Sequence, residues 1–192
     1  MANAPEKTQA RESDPSRSGT RPDSDAFVLL EADHRAVEKL FTAFEKTGDD
    51  DLDAKNTLVR RACEELTIHA MIEEELLYPA AHEALTGDAQ KDVDEAYVEH
   101  FLVKTLIGKF TTLQAGAKGF DATFKVMAEN VKHHVEEEEA ELFPELRKAG
   151  LDLVALGERI TKRKAQLQAK LAGDAGDRTS SNTTGKAGGM KL

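Results

Sequence analysis

The run His69-Ala70-Met71-Ile72-Glu73-Glu74-Glu75-Leu76-Leu77-Tyr78-Pro79 decides how this 192-residue chain is read, because it returns as His134-Val135-Glu136-Glu137-Glu138-Glu139-Ala140-Glu141-Leu142-Phe143-Pro144. In both copies a His is followed four residues later by Glu, then at eight by Leu, at nine by an aromatic ring and at ten by Pro, and the copies lie 65 residues apart. A second pair of histidines, His34 and His100, repeats at an offset of 66, each directly preceded by an acid, Asp33 or Glu99. On a helix, residues i and i+4 share one face about 6 Å apart along the axis, so the imidazole and carboxylate of each His-x3-Glu pair can converge on one metal ion. Together the motifs supply four neutral nitrogens and two carboxylates. That donor set suits iron or manganese, and two shared carboxylates suit a pair of ions.

The segments around these motifs carry helical periodicity. After a possible N-cap at Ser24-Asp25, apolar residues and His34 recur at three- and four-residue steps (Phe27, Leu30, Val37, Phe41, Phe44) up to Thr47-Gly48. A second helix carries Leu58, Cys63, Leu66, His69, Glu73 and Leu77; Pro79 should kink or restart it before Thr86-Gly87. A third, capped by Asp88, places Val93, Ala96, Tyr97, His100, Val103, Leu106, Ile107 and Phe110 on one face, and Gly116 and Gly119 end it. A fourth, capped by Asp121, carries Phe124, Met127, Val131, His134, Glu138, Leu142 and Phe143 and closes at Gly150. At ~1.5 Å per residue, His34 and His69 come to similar heights on the first two helices, and His100 and His134 do so on the second two. Two matched hairpins built on a repeat imply an all-α, up-down four-helix bundle with approximate two-fold symmetry and a metal site on its axis.

The domain plan is therefore a disordered tail over 1–24, the bundle over 25–150, a short amphipathic helix over 151–172 and a disordered tail over 173–192. The basic residues Lys162, Arg163 and Lys164 read as a solvated face packed loosely on the bundle. Composition agrees: 40% hydrophobic, 32% charged and no Trp suit one helical domain. The net charge of −10 disfavours a nucleic-acid partner, since phosphates demand a basic face. No apolar run reaches the ~20 residues that cross a bilayer, and the N-terminus lacks a signal-peptide pattern. A cytoplasmic protein without a membrane partner is expected. The lone Cys63 reads as a small buried hydrophobe, and Asp49-Asp50-Asp51 as a solvated loop without calcium-loop spacing.

Two histidines fall outside the repeat. His133 forms a rival pair with Glu137, but only His134 stands at the distance from Pro144 that His69 keeps from Pro79. His133 should point about 100° away from the axis. His82 lies nine residues beyond Glu73, out of reach along a straight helix.

These motifs, from Asp33-His34 through the His69 run and Glu99-His100 to the His134 run, resemble the hemerythrin-like, or HHE cation-binding, family over about Ala26 to Ala149. The resemblance implies a carboxylate-bridged non-haem di-iron centre, oxo- or hydroxo-bridged, with His34, His69, His100 and His134 as terminal ligands and Glu73 and Glu138 as bridges. The chain departs from the oxygen-carrying hemerythrins in having Ala96 and Lys104 where a second His of the third helix would stand. Its fourth helix also has His-x3-Glu in place of His-x4-Asp. A water, Tyr97 or another carboxylate would take the vacant position. The function so implied is binding or sensing of a small diatomic ligand, oxygen or nitric oxide, with sensing relayed through a protein partner of unknown identity. The alternative is a peroxide-consuming or iron-handling protein; only Glu31-x2-His34 matches the ferritin-like Glu-x2-His pattern.

Overall fold

The computed structural model describes residues 25–181, with side chains described to Gly173, and its regular structure is entirely helical. Both expected tails lie outside these residues for 1–24 and 182–192. Helix α1 (Ala26–Lys46) starts where Asp25 accepts the Phe27 N–H at 2.9 Å, the predicted cap. Asp51 caps α2 (Leu52–Ile72) in the same way through Ala54 N–H. Asp88 and Asp121 are not caps. Each lies inside the first turn, and glycines with positive φ, Gly87 (70°) and Gly119 (88°), make the turns into α4 (Asp88–Lys109) and α5 (Phe120–Glu137). Asp121 instead accepts from Lys55 Nζ at 2.7 Å, tying the start of α5 to the start of α2. Helix α4 ends at Lys109, earlier than the glycines suggest, because turns at Phe110 to Thr112 already close it.

Both prolines act through the same device. Pro79 and Pro144 have no N–H to give the carbonyl four residues back, so neither helix can continue undisturbed. Each chain widens into a π-helical turn, Glu73–Leu77 and Glu138–Leu142, and then resumes as α3 (Tyr78–Ala84) and α6 (Phe143–Lys148). The wide turns close through Tyr78 N–H to Glu73 O and Phe143 N–H to Glu138 O. The repeat thus encodes a matched pair of π turns, each beginning on the Glu of a His-x3-Glu pair.

Helix α1 packs antiparallel on α2, and α4 on α5; contacts of α1 with α5 and of α2 with α4 close the bundle. Its apolar interior falls into two clusters. One gathers Phe27, Leu30, Ile72, Leu77, Tyr78, Val93, Phe143 and Leu146; the other gathers Val37, Phe41, Val59, Leu66, Phe120, Phe124, Met127 and Val131. Between them lies a polar layer.

The C-terminal helix is longer than expected. Helix α7 (Leu153–Ser181) has 29 residues and passes the boundary drawn at 172, because Gly173 alone does not stop a helix. It packs along α1 and α2, burying Leu156, Ile160 and Leu167. Its basic residues are not a free solvated face either: Arg163 makes a two-pronged ion pair with Glu75 at 2.6 and 2.8 Å, and Lys164 pairs with Asp33.

Candidate metal centre

The polar layer consists of the repeat. His34, His69, Glu73, His100, His134 and Glu138 are all at most 6% exposed, and they are the buried polar residues of the bundle apart from Lys55, among those described. All four imidazoles direct Nε2 inward. His34 Nε2 lies 3.0 Å from His69 Nε2, and His100 Nε2 lies 3.1 Å from His134 Nε2. The carboxylates join these two pairs. Glu73 Oε2 is 3.1 Å from His69 Nε2 and 3.4 Å from His100 Nε2; Glu138 Oε2 is 3.6 Å from both His34 Nε2 and His134 Nε2. Each Glu therefore touches one histidine of each pair.

A ring of outer carboxylates holds the imidazoles. Nδ1 of His34 donates to Glu139 (2.7 Å), that of His100 to Glu74 (3.0 Å) and that of His134 to Glu99 (2.8 Å). His69 Nδ1 stands 3.9 Å from Asp33, beyond a hydrogen bond, with no other partner. A proton held on Nδ1 leaves the Nε2 lone pair for a ligand, the usual second layer around metal-bound histidine. Three of the four outer acids are themselves paired to a base: Glu139 to Arg35, Glu74 to Lys104 and Asp33 to Lys164. The sequence carried a signal for all four, since Asp33 and Glu99 precede a motif His and Glu74 and Glu139 follow a motif Glu, but their role needed the fold.

Several buried polar atoms of the layer have no partner within the protein. Two imidazoles that meet through Nε2 at about 3 Å need a proton or a cation between them, because two lone pairs there would repel. Both oxygens of Glu73 and Oε2 of Glu138 are buried without hydrogen-bond partners, which costs several kcal/mol per charge unless something offsets it. Metal–nitrogen bonds of ~2.1 Å at a right angle would put two nitrogens roughly 3.0 Å apart, close to the spacing found in each pair. The donor atoms fall into two groups, His34, His69, Glu73 and Glu138 in one and Glu73, His100 and His134 in the other, with Glu73 common to both. Such a set fits a pair of metal ions.

Protonation reports the same frustration. Burial and the charge of Glu73 push the Glu138 carboxyl up to about 8. Burial favours neutral His69, but the carboxylates of Glu73, Asp33 and Glu138 outweigh it and carry its pKa up to about 10. Burial together with the charge of His69 takes His34 down to about 4.

Tyr78 is the site residue that periodicity missed. It is fully buried, donates from its hydroxyl to Glu138 Oε1 at 2.9 Å, and places that oxygen 3.1 Å from His100 Nε2. Tyr97, one of the three candidates for the vacant position, is half-buried and packs edge-on against the Tyr78 ring at 5.0 Å, outside the layer. The repeat offers Phe143 at the matching place, stacked on Phe27 with ring centroids 4.3 Å apart. One half of the site therefore has a hydroxyl where the other has hydrocarbon. His133 lies on the surface, 3.1 Å from Glu137, as the repeat register requires. His82 pairs with Asp94 on α4, away from the layer. Cys63 is half-buried and its thiol is pushed up to about 12 by burial and Glu64.

A small cavity of about 20 Å³ touches the four histidines and is otherwise lined mainly by Val37, Leu66, Val103, Val131 and Val135.

Residues 25–146 match the family described as the hemerythrin HHE cation binding domain. The chain is 29% identical over 119 residues to a DNA nickase of Nostoc sp., covering 62% of this chain and 32% of that protein. It is 26% identical over 116 residues to an uncharacterized hemerythrin-like protein of Schizosaccharomyces pombe, covering 60% and 56%. The chain thus spans about a third and about half of these curated relatives. A crystal structure of a hemerythrin HHE cation binding domain-containing protein from Mycobacterium kansasii shares the fold, with a TM-score of 0.65 at 23% identity over 76% of this chain and 88% of that one.

Proposed function

This chain belongs to the hemerythrin HHE cation-binding domain family, and on that premise we propose that it holds two iron ions and binds a small diatomic ligand, oxygen or nitric oxide, beside them. His34 and His69 would hold one ion, His100 and His134 the other, and Glu73 and Glu138 would bridge them. The observation that carries the ligand is the small cavity against the four histidines. A single water needs ~10–15 Å³, so about 20 Å³ is room of the size a diatomic molecule takes. When bound, such an iron pair supplies reversible electron donation to a small ligand. The protein supplies the rest. Outer carboxylates fix the imidazole tautomers, valines and Leu66 exclude bulk water, and the Tyr78 hydroxyl offers a hydrogen bond at the layer. The single half-buried cysteine suits a reducing cytoplasm.

Consumption of peroxide is the second reading, favoured by Tyr78, whose hydroxyl lies at the layer, bonded to Glu138 Oε1 at 2.9 Å and 3.1 Å from His100 Nε2. Metal analysis and an optical spectrum of iron-loaded protein test the proposal, followed by addition of oxygen, nitric oxide and peroxide. We expect two irons per chain and a spectrum that changes reversibly with oxygen or nitric oxide. A ratio of one or zero refutes the two-ion reading, and sustained turnover of peroxide favours the second.

A further inference from the structure

Of the four outer carboxylates, Glu99 is the exception among the described residues: no Lys or Arg lies within ion-pair distance of it, whereas Glu139, Glu74 and Asp33 each have one. One of its oxygens, Oε2, holds His134 Nδ1 at 2.8 Å. The other, Oε1, faces outward, 4.0 Å from His133 Nε2, which is itself 3.1 Å from Glu137 Oε1. Glu99, His133 and Glu137 thus present three donor atoms close enough to share one ion. Two of the three, Glu99 and Glu137, line a cavity of about 50 Å³ between α4 and the end of α5, whose wall also carries Asp92, Glu95, Glu138 and Glu141 and no basic side chain other than His134; His133 stands beside it against both. The buried polar members of that wall are His134 and Glu138, the latter 2% exposed with one carboxylate oxygen lacking a hydrogen-bond partner. The same cavity therefore joins an exposed ligand set to a buried, unsatisfied carboxylate of the metal layer.

We propose that Glu99, His133 and Glu137 form an outer divalent-cation site at the mouth of this acidic cavity, where ions dock and lose water before passing to His134 and Glu138. The inference rests on the metal-binding reading of the buried layer. A one-signed, low-dielectric cleft raises the local concentration of its counter-ion and accelerates capture by ~10- to 1,000-fold. Glu99 suits the handover because a single carboxylate touches both the outer ligands and His134. A simple surface pair between His133 and Glu137, one helical turn apart, would predict no effect on metal entry.

The test is the rate at which metal-free full-length protein takes up Co(II), followed by stopped-flow absorbance, with the final metal ratio measured separately. His133→Ala with Glu137→Gln should slow loading about tenfold or more and leave the final ratio unchanged. Glu129→Gln, which removes the same charge from the same helix where Glu129 pairs with Lys125, should load within about twofold of the parent. An unchanged rate in the double variant overturns the outer site while leaving the buried one intact, and so does equal slowing by Glu129→Gln. A fall in the final ratio overturns it too, since His133 or Glu137 would then belong to the buried centre. Failure of the parent protein to bind Co(II) at all overturns both readings.

Discussion

Tyr78→Phe removes one oxygen atom from a fully buried position and should be felt through Glu138. The hydroxyl donates to Glu138 Oε1 at 2.9 Å, and at pH 9, above the value of about 8 to which the Glu138 carboxyl is raised, a buried hydrogen bond to this charged acceptor is worth about 1.5–3 kcal/mol, with the acceptor left unsatisfied when the donor goes. For a helical body of this size, ~2–4 °C per kcal/mol converts that into a melting temperature lowered by roughly 3–12 °C. The assay is thermal and urea unfolding of metal-free protein carrying Tyr78→Phe, Glu138→Ala, both, or neither. If Tyr78 acts through Glu138, its substitution should cost less than about 1 kcal/mol once Glu138 is already Ala, because the interaction energy of the pair has been removed. Phe143, at the matching place of the repeat, provides no such bond to Glu73, both of whose oxygens lack partners. Glu73→Ala and Glu138→Ala should therefore differ in metal-free protein, although symmetry of the sequence makes them equivalent. A Tyr78→Phe change within about 0.5 kcal/mol of the parent, or the same cost with and without Glu138, would refute the reasoning.

The metal-free protein should lose stability as pH rises from about 6.5 to 10, above the range in which the depressed His34 acts in the opposite direction. Glu138 has a folded pKa raised to about 8 from an ordinary 4.5, and His69 one raised to about 10 from 6.5, so the folded state holds protons that the unfolded state gives up across those windows. Metal binding needs both groups deprotonated, so the gap in melting temperature between loaded and metal-free protein should widen over the same range; a gap that narrows would contradict the assignment. His134→Ala should remove at least one metal ion per chain, whereas His133→Ala, on the surface, should keep both ions and stay within about 0.5 kcal/mol in unfolding; metal analysis and melts of the two variants decide. Lys164→Ala should weaken metal retention during chelator challenge by loosening Asp33 beside His69, and an unchanged release rate would show that the contact from α7 plays no part in holding the site.

The sequence by itself determined the helical class, the pairing of hairpins and the register on α5, because a repeat of fixed spacing projects the same side chains onto the same face wherever it forms a helix. His134 rather than His133 could be chosen from its distance to Pro144 alone, and the structure buries the first and exposes the second. The prolines marked the breaks, but their form as π turns depends on how each chain rejoins the bundle after losing one hydrogen bond. Only the tertiary structure showed that the acids beside the motif residues reach across to the imidazoles: Glu139 orients His34 from 105 residues away, a contact no local spacing encodes. That Tyr78 rather than Tyr97 reaches the layer has the same origin. Tyr97 shares the helical face of His100, whereas Tyr78 lies beyond a π turn whose added residue per turn rotates the side chains that follow, so straight-helix counting could not bring its hydroxyl onto Glu138. The extension of α7 and the seating of Arg163 and Lys164 on Glu75 and Asp33 likewise follow from packing: one Gly is a weak stop, and basic residues read as solvent-facing find their acids only once the bundle has assembled.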